Sequence, residues 1–198
     1  MPRRKISEYR AKMIVTTAWD VSYHGWMVND GAPLSSESMP DGIYVVKVDQ
    51  AVKGRFKKGL VALKVAKHNL QAEIDNLKSK GYDSFLIEPY FDHQSKDERY
   101  LSLARDASGL HLNFSAVGGI DIESQADTIE TAIVDDATNW AELAGKTGIN
   151  ETLLQKLVDI FQQNFFSFLE INPYIVGDGA PALLDLAVEV DDAGAYAA

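Results

Sequence analysis

The stretch LEINPYIVGDGAPALLDLA, residues 169–187, contains two apolar runs on either side of a glycine-rich turn. This pattern predicts a β-hairpin. If the turn is centred between Asp178 and Gly179, Asn172 lies opposite Asp185 across the ladder. Because successive side chains of a strand point to opposite faces, this polar pair and the flanking apolar residues lie on opposite faces of the sheet.

An amide and a carboxylate that face each other across a hairpin predict a metal site. Their Cβ atoms would be about 4.5 to 5.5 Å apart, so that both oxygens can reach one small cation. Mg²⁺ prefers oxygen ligands and is usually held by one or two carboxylates together with substrate phosphates. We therefore predict Asn172 and Asp185 as Mg²⁺ ligands. The structural alternative is an Asn and an Asp that hydrogen-bond locally in a surface hairpin.

Outward from this hairpin, apolar periodicity predicts further strands and helices. The predicted strands are 43–48, 61–63, 84–90, 99–104 and 110–114, of which the last three form an antiparallel meander. The predicted helices cover 5–14, the segment from Ala66 to a stop at Gly81, a segment capped by Ser124 that buries Ile129 and Ile133, and about 18 residues after Asn150 that include Phe165 and Phe168.

Composition excludes several classes of function. A net charge of -10 disfavours general nucleic-acid binding, which depends on the neutralisation of phosphates by Lys and Arg. The lack of cysteine excludes disulfides, thiolate metal sites and cysteine nucleophiles. No apolar run approaches the roughly 18 to 20 residues that span a bilayer, and no signal-like segment follows the basic start. We expect a cytoplasmic protein that does not contact membranes.

Basic residues are concentrated between positions 47 and 67. They are Lys47, Lys53, Arg55, Lys57, Lys58, Lys64 and Lys67, against the single acid Asp49. A solvated hairpin accounts for this run by composition alone, and a turn that holds phosphates is the functional alternative. Lys47 stands in a β-branched run where a buried ammonium is costly, so it either emerges at a sheet edge or faces an anion.

Common catalytic fingerprints are absent from the sequence. It contains neither GxxxxGK[ST] nor GxGxxG, so that phosphates would have to be held in another way. The histidines His24, His68, His93 and His111 are scattered and lack the spacing of a helical zinc pair. No GxSxG elbow supports a serine hydrolase.

Six segments, in their order and spacing, resemble the amino-terminal ATP-grasp region of ATP-citrate lyase. They are VVKVDQ (45–50), KKGLV (57–61), FLIEPY (85–90), GGID (118–121), FLEINP (168–173) and LDLA (184–187). The resemblance extends from about Lys5 to Asp191. FLIEP and LEINP are its most specific pieces and are shared more loosely with the β subunit of succinyl-CoA synthetase.

The resemblance implies an α+β ATP-grasp fold, in which two α/β lobes with mainly antiparallel sheets bind ATP in the cleft between them. The expected small lobe is 14–84. The expected large lobe comprises 1–13 and 85–198 and carries the metal-binding hairpin.

The same resemblance implies which residues bind the phosphates and the metal. Lys47 would contact the nucleotide phosphates and act in catalysis together with Arg55, which would lie with Lys57 in the phosphate-covering loop. Asn172 and Asp185 match the Mg²⁺ ligands of the family.

The nucleoside would be bound by a second group of residues. Glu88, Pro89 and Tyr90 would form the strand between the lobes whose backbone reads adenine. Glu98 would hold the ribose hydroxyls.

The sequence departs from the family in its phosphate loop and in its extent. Phe56 stands where a glycine is expected, which stiffens the loop. No segment resembles the family's CoA-binding domain with its phosphorylated histidine, or its citrate-binding part. The chain would therefore bind MgATP while a partner subunit supplies the histidine and the CoA site.

Three interpretations follow from the resemblance. The first is the ATP-binding component of an acid-CoA ligase or lyase, which positions MgATP for phosphoryl transfer to a partner's histidine. The second is a degenerate ATP-grasp module with a regulatory or assembly role and weak or no nucleotide turnover. The third is a fragment of a longer subunit.

Overall fold

A computed structural model of the chain describes residues 3–119 and 122–191, and all of their side chains except those of residues 123–125. The described residues form two compact units. The larger comprises residues 3–6, 10–22 and the chain from 93 onward, and the smaller comprises 7–9 and 23–92. The expected lobes divide the chain at other positions, because 14–22 lie in the larger unit, and 7–9 and 85–92 lie in the smaller. That the two units act as ATP-grasp lobes stays a prediction.

The described residues form four α-helices and eleven strands. The helices are α1 (Glu8–Ala18), α2 (Leu70–Ser79), α3 (Trp140–Thr147) and α4 (Glu151–Gln163). The strands are β1 (Arg3–Lys5), β2 (Trp26–Val28), β3 (Ile43–Val48), β4 (Val61–Ala66), β5 (Phe85–Pro89), β6 (Glu98–Asp106), β7 (Gly109–Ser115), β8 (Glu130–Val134), β9 (Phe166–Ile175), β10 (Ala182–Leu183) and β11 (Leu186–Asp191). No helix in the described ranges is long and apolar enough to cross a membrane.

Antiparallel pairing builds both sheets. The larger unit contains a seven-stranded sheet in the order β1-β11-β9-β6-β7-β8, with β10 added to β9, and the smaller contains four strands in the order β2-β5-β3-β4. All strand pairs among the described residues are antiparallel. The mixed helix and antiparallel-sheet class expected from the sequence is thus confirmed.

One face of the larger sheet packs against α1, α3 and α4. The predicted hairpin register is confirmed, since Ile171 pairs with Leu186 and Tyr174 with Leu183. Ile171 and Leu186 lie in the buried core of this unit. Their neighbours Asn172 and Asp185 therefore belong to the opposite face, as strand alternation requires.

The helix predicted after Asn150 is shorter than expected. Asn150 caps α4 by accepting the N–H of Thr152 at 2.8 Å. The helix ends before Phe165, which adopts a positive φ of 54°, and β9 begins at Phe166. The assignment of Phe165 and Phe168 to the helix was therefore wrong, because apolar spacing alone does not show where a backbone turn interrupts a helix.

The helix predicted after Glu123 was also wrong. A 3₁₀ turn occupies Ile122–Thr128 and β8 follows it, while the side chain of the predicted cap Ser124 lies outside the described residues. Ile133 belongs to β8, at the edge of the sheet, and is 54% exposed. The spacing of Ile129 and Ile133 suited a helix, but the β-branched composition of this segment favours a strand. Helix α3 was not predicted.

The smaller unit packs α2 against one face of its sheet. Leu70, Ile74 and Leu77 of the helix lie in a core with residues of β3 and β5. Strand β5 pairs with β2 and β3, whereas β6 and β7 form a hairpin in the larger sheet. The predicted three-strand meander was therefore wrong at its first strand, because the loop after β5 leads into the other unit.

Helix α3 ends on the larger sheet through side chains of β6 and β9. Gly148, with φ 72°, terminates the helix. The Thr147 carbonyl accepts the Tyr174 hydroxyl at 2.8 Å and Arg99 Nη1 at 3.2 Å. Burial raises the pKa of Tyr174 to about 12, so the phenol stays protonated and donates at physiological pH.

We expect Tyr174→Phe to lower the free energy of unfolding by about 1 kcal/mol, because it removes one buried hydrogen bond and leaves the Thr147 carbonyl its bond from Arg99. Denaturant unfolding measures this change. Tyr82→Phe is the matched control, since Tyr82 packs on the other core without a side-chain hydrogen bond, and we expect a change below about 0.5 kcal/mol. Equal losses in the two variants would contradict the role of the Tyr174 hydroxyl.

Candidate functional site

Lys47 lies in a buried cluster of acids and bases in the smaller unit. It belongs to β3, an inner strand of the sheet, and its side chain is only 5% exposed. Its Nζ contacts Glu8 Oε1 at 2.6 Å and Glu88 Oε2 at 2.8 Å. The sequence left open whether Lys47 emerges at a sheet edge or faces an anion, and the structure shows that it faces an anion. In the structure, that anion consists of carboxylates of the chain itself.

The pairing of strands explains why Glu88 reaches Lys47. Val45 lies opposite Glu88, and Lys47 lies opposite Leu86, so that Lys47 and Glu88 are diagonal neighbours on the sheet face that α2 does not cover. Diagonal neighbours are close enough for long side chains to meet. Two of the predicted site residues are therefore brought together by the register of a single strand pair.

Glu8 joins a third predicted residue to this cluster. Arg55 Nη2 donates to Glu8 Oε2 at 2.5 Å, and Arg55 Nη1 donates to the Val48 carbonyl at 2.8 Å. The Glu8 side chain is 3% exposed. One carboxylate therefore binds Lys47 through one oxygen and Arg55 through the other, and we call Glu8, Lys47, Asp49, Arg55 and Glu88 the Glu8 cluster.

Asp49 holds the start of α1 next to the cluster. Its carboxylate accepts the N–H of Glu8 at 2.6 Å and the N–H of Tyr9 at 3.1 Å, which satisfies two N–H groups of the first helical turn. Burial raises the pKa of Asp49 and the charge of Glu8 raises it further, while the two N–H groups and Arg55 oppose the shift. One of these two N–H groups belongs to Glu8, the residue whose side chain binds both Lys47 and Arg55.

Tyr23 completes the surroundings of Glu88. Its hydroxyl donates to Glu88 Oε1 at 2.8 Å. Burial, and after it the Glu88 charge, raise the pKa of Tyr23, so that it stays a donor. A methyl group at Gly25 would lie 2.4 Å from the Tyr23 oxygen, so glycine at this position leaves room for the ring.

The turn after β3 carries the exposed cations. Lys57 and Phe56 are exposed, Phe56 to 49%. Gly54 and Gly59 flank Arg55 with φ values of 65° and 64°. Both glycines adopt a region that other residues rarely occupy, which lets the backbone turn sharply on either side of the basic side chains.

The end of β5 holds the other residues predicted for adenine. Pro89 is exposed. Tyr90 donates its N–H to the Ile43 carbonyl at 2.8 Å, and Lys64 Nζ lies 5.2 Å from the centre of its ring. The Tyr90 N–H is therefore committed to the sheet of the smaller unit.

In the larger unit, Asn172 and Asp185 face each other as predicted. The Asn172 N–H donates to the Asp185 carbonyl at 3.0 Å, and both side chains are partly buried. The Asn172 side-chain amide also forms two hydrogen bonds with the backbone of Gly119. Its oxygen accepts the Gly119 N–H at 2.7 Å, and its nitrogen donates to the Gly119 carbonyl at 3.1 Å. These two bonds fix which amide atom is oxygen.

Glu98 lies on the other side of Gly119. Its Oε1 is 3.1 Å from His93 Nε2, and a Cβ at Gly119 would lie 2.2 Å from its Oε2. Gly119 thus separates Glu98 from Asn172, two residues that the sequence assigned to different parts of the nucleotide. Ile120 and Asp121, which complete the segment GGID (118–121), lie outside the described residues.

The structure therefore assembles the predicted residues in two groups, one in each unit. Lys47, Arg55 and Glu88 meet in the smaller unit, and the larger unit brings together Glu98, Asn172 and Asp185. No group of three or more His, Asp or Glu side chains in the described ranges is placed to hold a metal. A Mg²⁺ site at Asn172 and Asp185 stays a prediction.

Sequence reasoning missed several residues that organise these groups: Glu8, Tyr23, Asp49, His93 and Gly119. Glu8 is 39 positions from Lys47 in the chain, and no local pattern marks such a partner. The one available signal was the cost of burying Lys47, which demanded a carboxylate without saying which one.

Comparison with known proteins gives several extensive matches, although no family model matches the chain. ATP-citrate synthase alpha chain protein 2 of Arabidopsis thaliana is 30% identical over 99% of this chain and 53% of that protein. ATP-citrate synthase of Mus musculus is 29% identical over 77% of this chain and 16% of that protein. The chain spans about half the length of the plant relatives. The aligned stretch of 234 residues exceeds the 198 of this chain, so the plant relative carries residues that this chain lacks.

Solved structures agree with these relatives. ATP citrate lyase from Methanothrix soehngenii, in complex with citrate and coenzyme A, has a TM-score of 0.77 at 25% identity and covers 98% of this chain and 53% of that one. A dinucleotide-forming acetyl-coenzyme A synthetase of Ca. Korarchaeum cryptofilum, in complex with coenzyme A and Mg-AMPPCP, has a TM-score of 0.69 at 14% identity. It covers 94% of this chain and 93% of that one. The latter similarity concerns the fold alone.

We expect Gly119→Ala to lower the free energy of unfolding by about 1 to 3 kcal/mol, because Gly119 has a φ of 96° and an added Cβ would collide with Glu98. Gly145→Ala is the matched control. Gly145 lies in α3 with open space around its Cβ position, so the same change there should stabilise the helix by up to about 1 kcal/mol. Denaturant unfolding measures both, and a stabilised Gly119→Ala variant would contradict the close approach.

Proposed function

We propose that this chain, a homologue of the amino-terminal region of ATP-citrate lyase, binds MgATP and positions its terminal phosphate for transfer. The observation that carries the proposal is the convergence of Lys47 and Arg55 on the two oxygens of one carboxylate. Two cations held this close together can bind one anion jointly. The relatives and structural neighbours are named ATP-citrate synthase, ATP citrate lyase and acetyl-coenzyme A synthetase, and we propose that this chain belongs to an enzyme of the acid-CoA ligase or lyase class.

We further propose that the fold is an ATP-grasp fold whose lobes bind ATP in the cleft between them. Each unit contributes one antiparallel sheet, packed against α1, α3 and α4 in the larger unit and against α2 in the smaller. The acetyl-coenzyme A synthetase with the related fold was solved with Mg-AMPPCP. This supports a nucleotide site on the fold.

In this proposal the smaller unit supplies the phosphate contacts. Lys47 and Arg55 neutralise phosphate charge, and Lys57 lies in the exposed turn that covers the phosphates. Phosphoryl transfer depends mainly on positioning and on neutralisation of charge, so that two cations placed side by side suit this task. Glu88 acts here through its bonds to Lys47 and Tyr23, while the backbone of Glu88, Pro89 and Tyr90 is assigned to adenine.

The larger unit supplies the metal and ribose contacts in the same proposal. Asn172 and Asp185 would hold Mg²⁺, and Glu98 would accept the ribose hydroxyls. The donor set fits the ion, since a carbonyl oxygen has two lone pairs and the Gly119 N–H uses one at the Asn172 oxygen. Mg²⁺ would neutralise phosphate charge at that face. Asn172 additionally fixes the Gly119 backbone beside Glu98.

We propose that a partner subunit completes the reaction. The chain spans about half of the plant relatives, and the proposed partner carries the CoA-binding domain and the histidine that receives the phosphate. On this proposal the chain turns over ATP only together with its partner, in the cytoplasm.

A degenerate module with a regulatory or assembly role is the second candidate. The observation that favours it is the mutual pairing of Glu8, Lys47, Arg55 and Glu88, which holds together as a buried structural network. The exposed Phe56 in the phosphate turn also favours it. Weak or no MgATP binding would distinguish this candidate from the first.

Calorimetric titration with MgATP tests the proposal. We expect the wild type to bind MgATP. The affinity of Asp185→Asn should be lower by at least about tenfold, because loss of one charged metal ligand costs on the order of 1.5 to 3 kcal/mol.

Asp178→Asn is the matched control for this titration. Asp178 lies exposed in the turn of the same hairpin, and its variant should bind as the wild type does. Absence of heat from the wild type at millimolar MgATP would favour the degenerate module. If Asp185→Asn binds MgATP with the affinity of the wild type, Asp185 is not a metal ligand.

A further inference from the structure

Glu8 makes the same contacts that two oxygens of a phosphate would make. Its Oε1 binds Lys47 Nζ at 2.6 Å and its Oε2 binds Arg55 Nη2 at 2.5 Å. A phosphate group also presents oxygens that accept from an ammonium and a guanidinium side by side. In this structure the cation pair assigned to the nucleotide phosphates is thus engaged by an internal anion.

The Glu8 cluster carries more acids than bases. Glu8, Asp49 and Glu88 are set against Lys47 and Arg55, and the side chains of Glu8, Lys47 and Glu88 are at most 12% exposed. Asp49 and Glu88 have additional donors, namely the first N–H groups of α1 and the Tyr23 hydroxyl. The cluster thus has one carboxylate more than it has cations, so that a polyphosphate has to compete with a carboxylate for them. Glu8 is the carboxylate that contacts both cations.

From this geometry we propose that Glu8 is a built-in competitor of the polyphosphate, which occupies Lys47 and Arg55 until the phosphates of the ligand replace it. The inference rests on the proposed function, because it assigns the same cation pair to phosphate. It deepens that function by naming the residue that sets how tightly the site binds its ligand.

Charge and backbone both allow such an exchange. A terminal phosphate carries up to two negative charges where a carboxylate carries one, so it binds a cation pair more strongly. Arg55 lies in the turn flanked by Gly54 and Gly59. The residues of this turn around Arg55 are exposed, so that the arginine can change partner without disturbance of the core.

A purely structural brace would behave differently from a competitor. If Glu8 only holds Lys47 and Arg55 in position, its loss misplaces both cations and weakens phosphate binding. If Glu8 competes, its loss releases the cations and removes a negative charge near the phosphates, and binding becomes tighter. The sign of the change in affinity separates the two roles.

The test uses Glu8→Gln, with MgATP and inorganic tripolyphosphate as probes in calorimetry. We expect both probes to bind about tenfold more tightly than to the wild type, since removal of one nearby buried charge is worth at least this factor. Without ligand the variant should unfold at a lower temperature, because Lys47 and Arg55 each lose a partner. Asp41→Asn is the matched control, since it removes one exposed acid of the smaller unit, and it should change neither affinity.

A second measurement uses the wild-type chain and does not depend on the folding of a variant. In ¹³C NMR of the Glu side-chain carboxyl groups, addition of tripolyphosphate should shift the Glu8 signal, because Glu8 exchanges two cations for other surroundings. A Glu8 signal that stays in place while tripolyphosphate binds would overturn the proposal. Unchanged or weaker binding by folded Glu8→Gln would overturn it as well.

The outcomes separate this inference from the proposed function. If the wild type binds MgATP and Glu8→Gln binds it no more tightly, Glu8 is not a competitor. The proposed nucleotide site still holds in that case. If Glu8→Gln binds the probes more tightly than the wild type and Asp41→Asn does not, the role of Glu8 as a competitor is supported. If neither protein binds either probe, the cation pair is no phosphate site, and both proposals fail.

Discussion

A positive charge buried on an inner strand is the constraint on which the smaller unit depends. Lys47 cannot remain in β3 without acids around it, because an unpaired buried ammonium costs several kcal/mol. Glu88 comes from the neighbouring strand, and Glu8 comes from the start of α1. Asp49, directly after β3, accepts the first N–H groups of that same helix. One buried lysine thus connects the order of the strands to the position of a distant chain segment.

The parts of the fold that local periodicity determines were predictable from the sequence. A turn centred between Asp178 and Gly179 predicted the register that places Asn172 opposite Asp185, and the observed pairing of Ile171 with Leu186 agrees with it. The failures have one common origin, which is that spacing records burial and not backbone direction. Ile129 and Ile133 suited a helix by spacing, but Ile129 lies between a 3₁₀ turn and β8, and Ile133 lies in β8, an edge strand. Helix α4 ends at Gln163, and Phe165 with its positive φ separates it from β9, although apolar residues recur at helical spacing on both sides.

Candidate site residues were predictable where a local pattern or the family resemblance marked them. Lys47 and Glu88 were identified individually, and their contact follows from a strand pairing that the sequence does not reveal. Glu8 was missed because its role exists only through partners far away in the chain. Gly119 belongs to the segment GGID of the resemblance, but its position between Glu98 and Asn172 required coordinates. Residues that act through others are therefore those that pattern reading finds last.

The anchoring of α3 has a consequence for how this protein can change over evolutionary time. Arg99 and Tyr174 secure the end of that helix, and each lies within two positions of a candidate site residue, Glu98 or Asn172. A change in how α3 packs would therefore shift β6 and β9, and with them the side chains of Glu98 and Asn172. Side chains at the site can therefore be exchanged more readily than the strands that present them can move, and divergence among homologues should alter chemistry before it alters geometry.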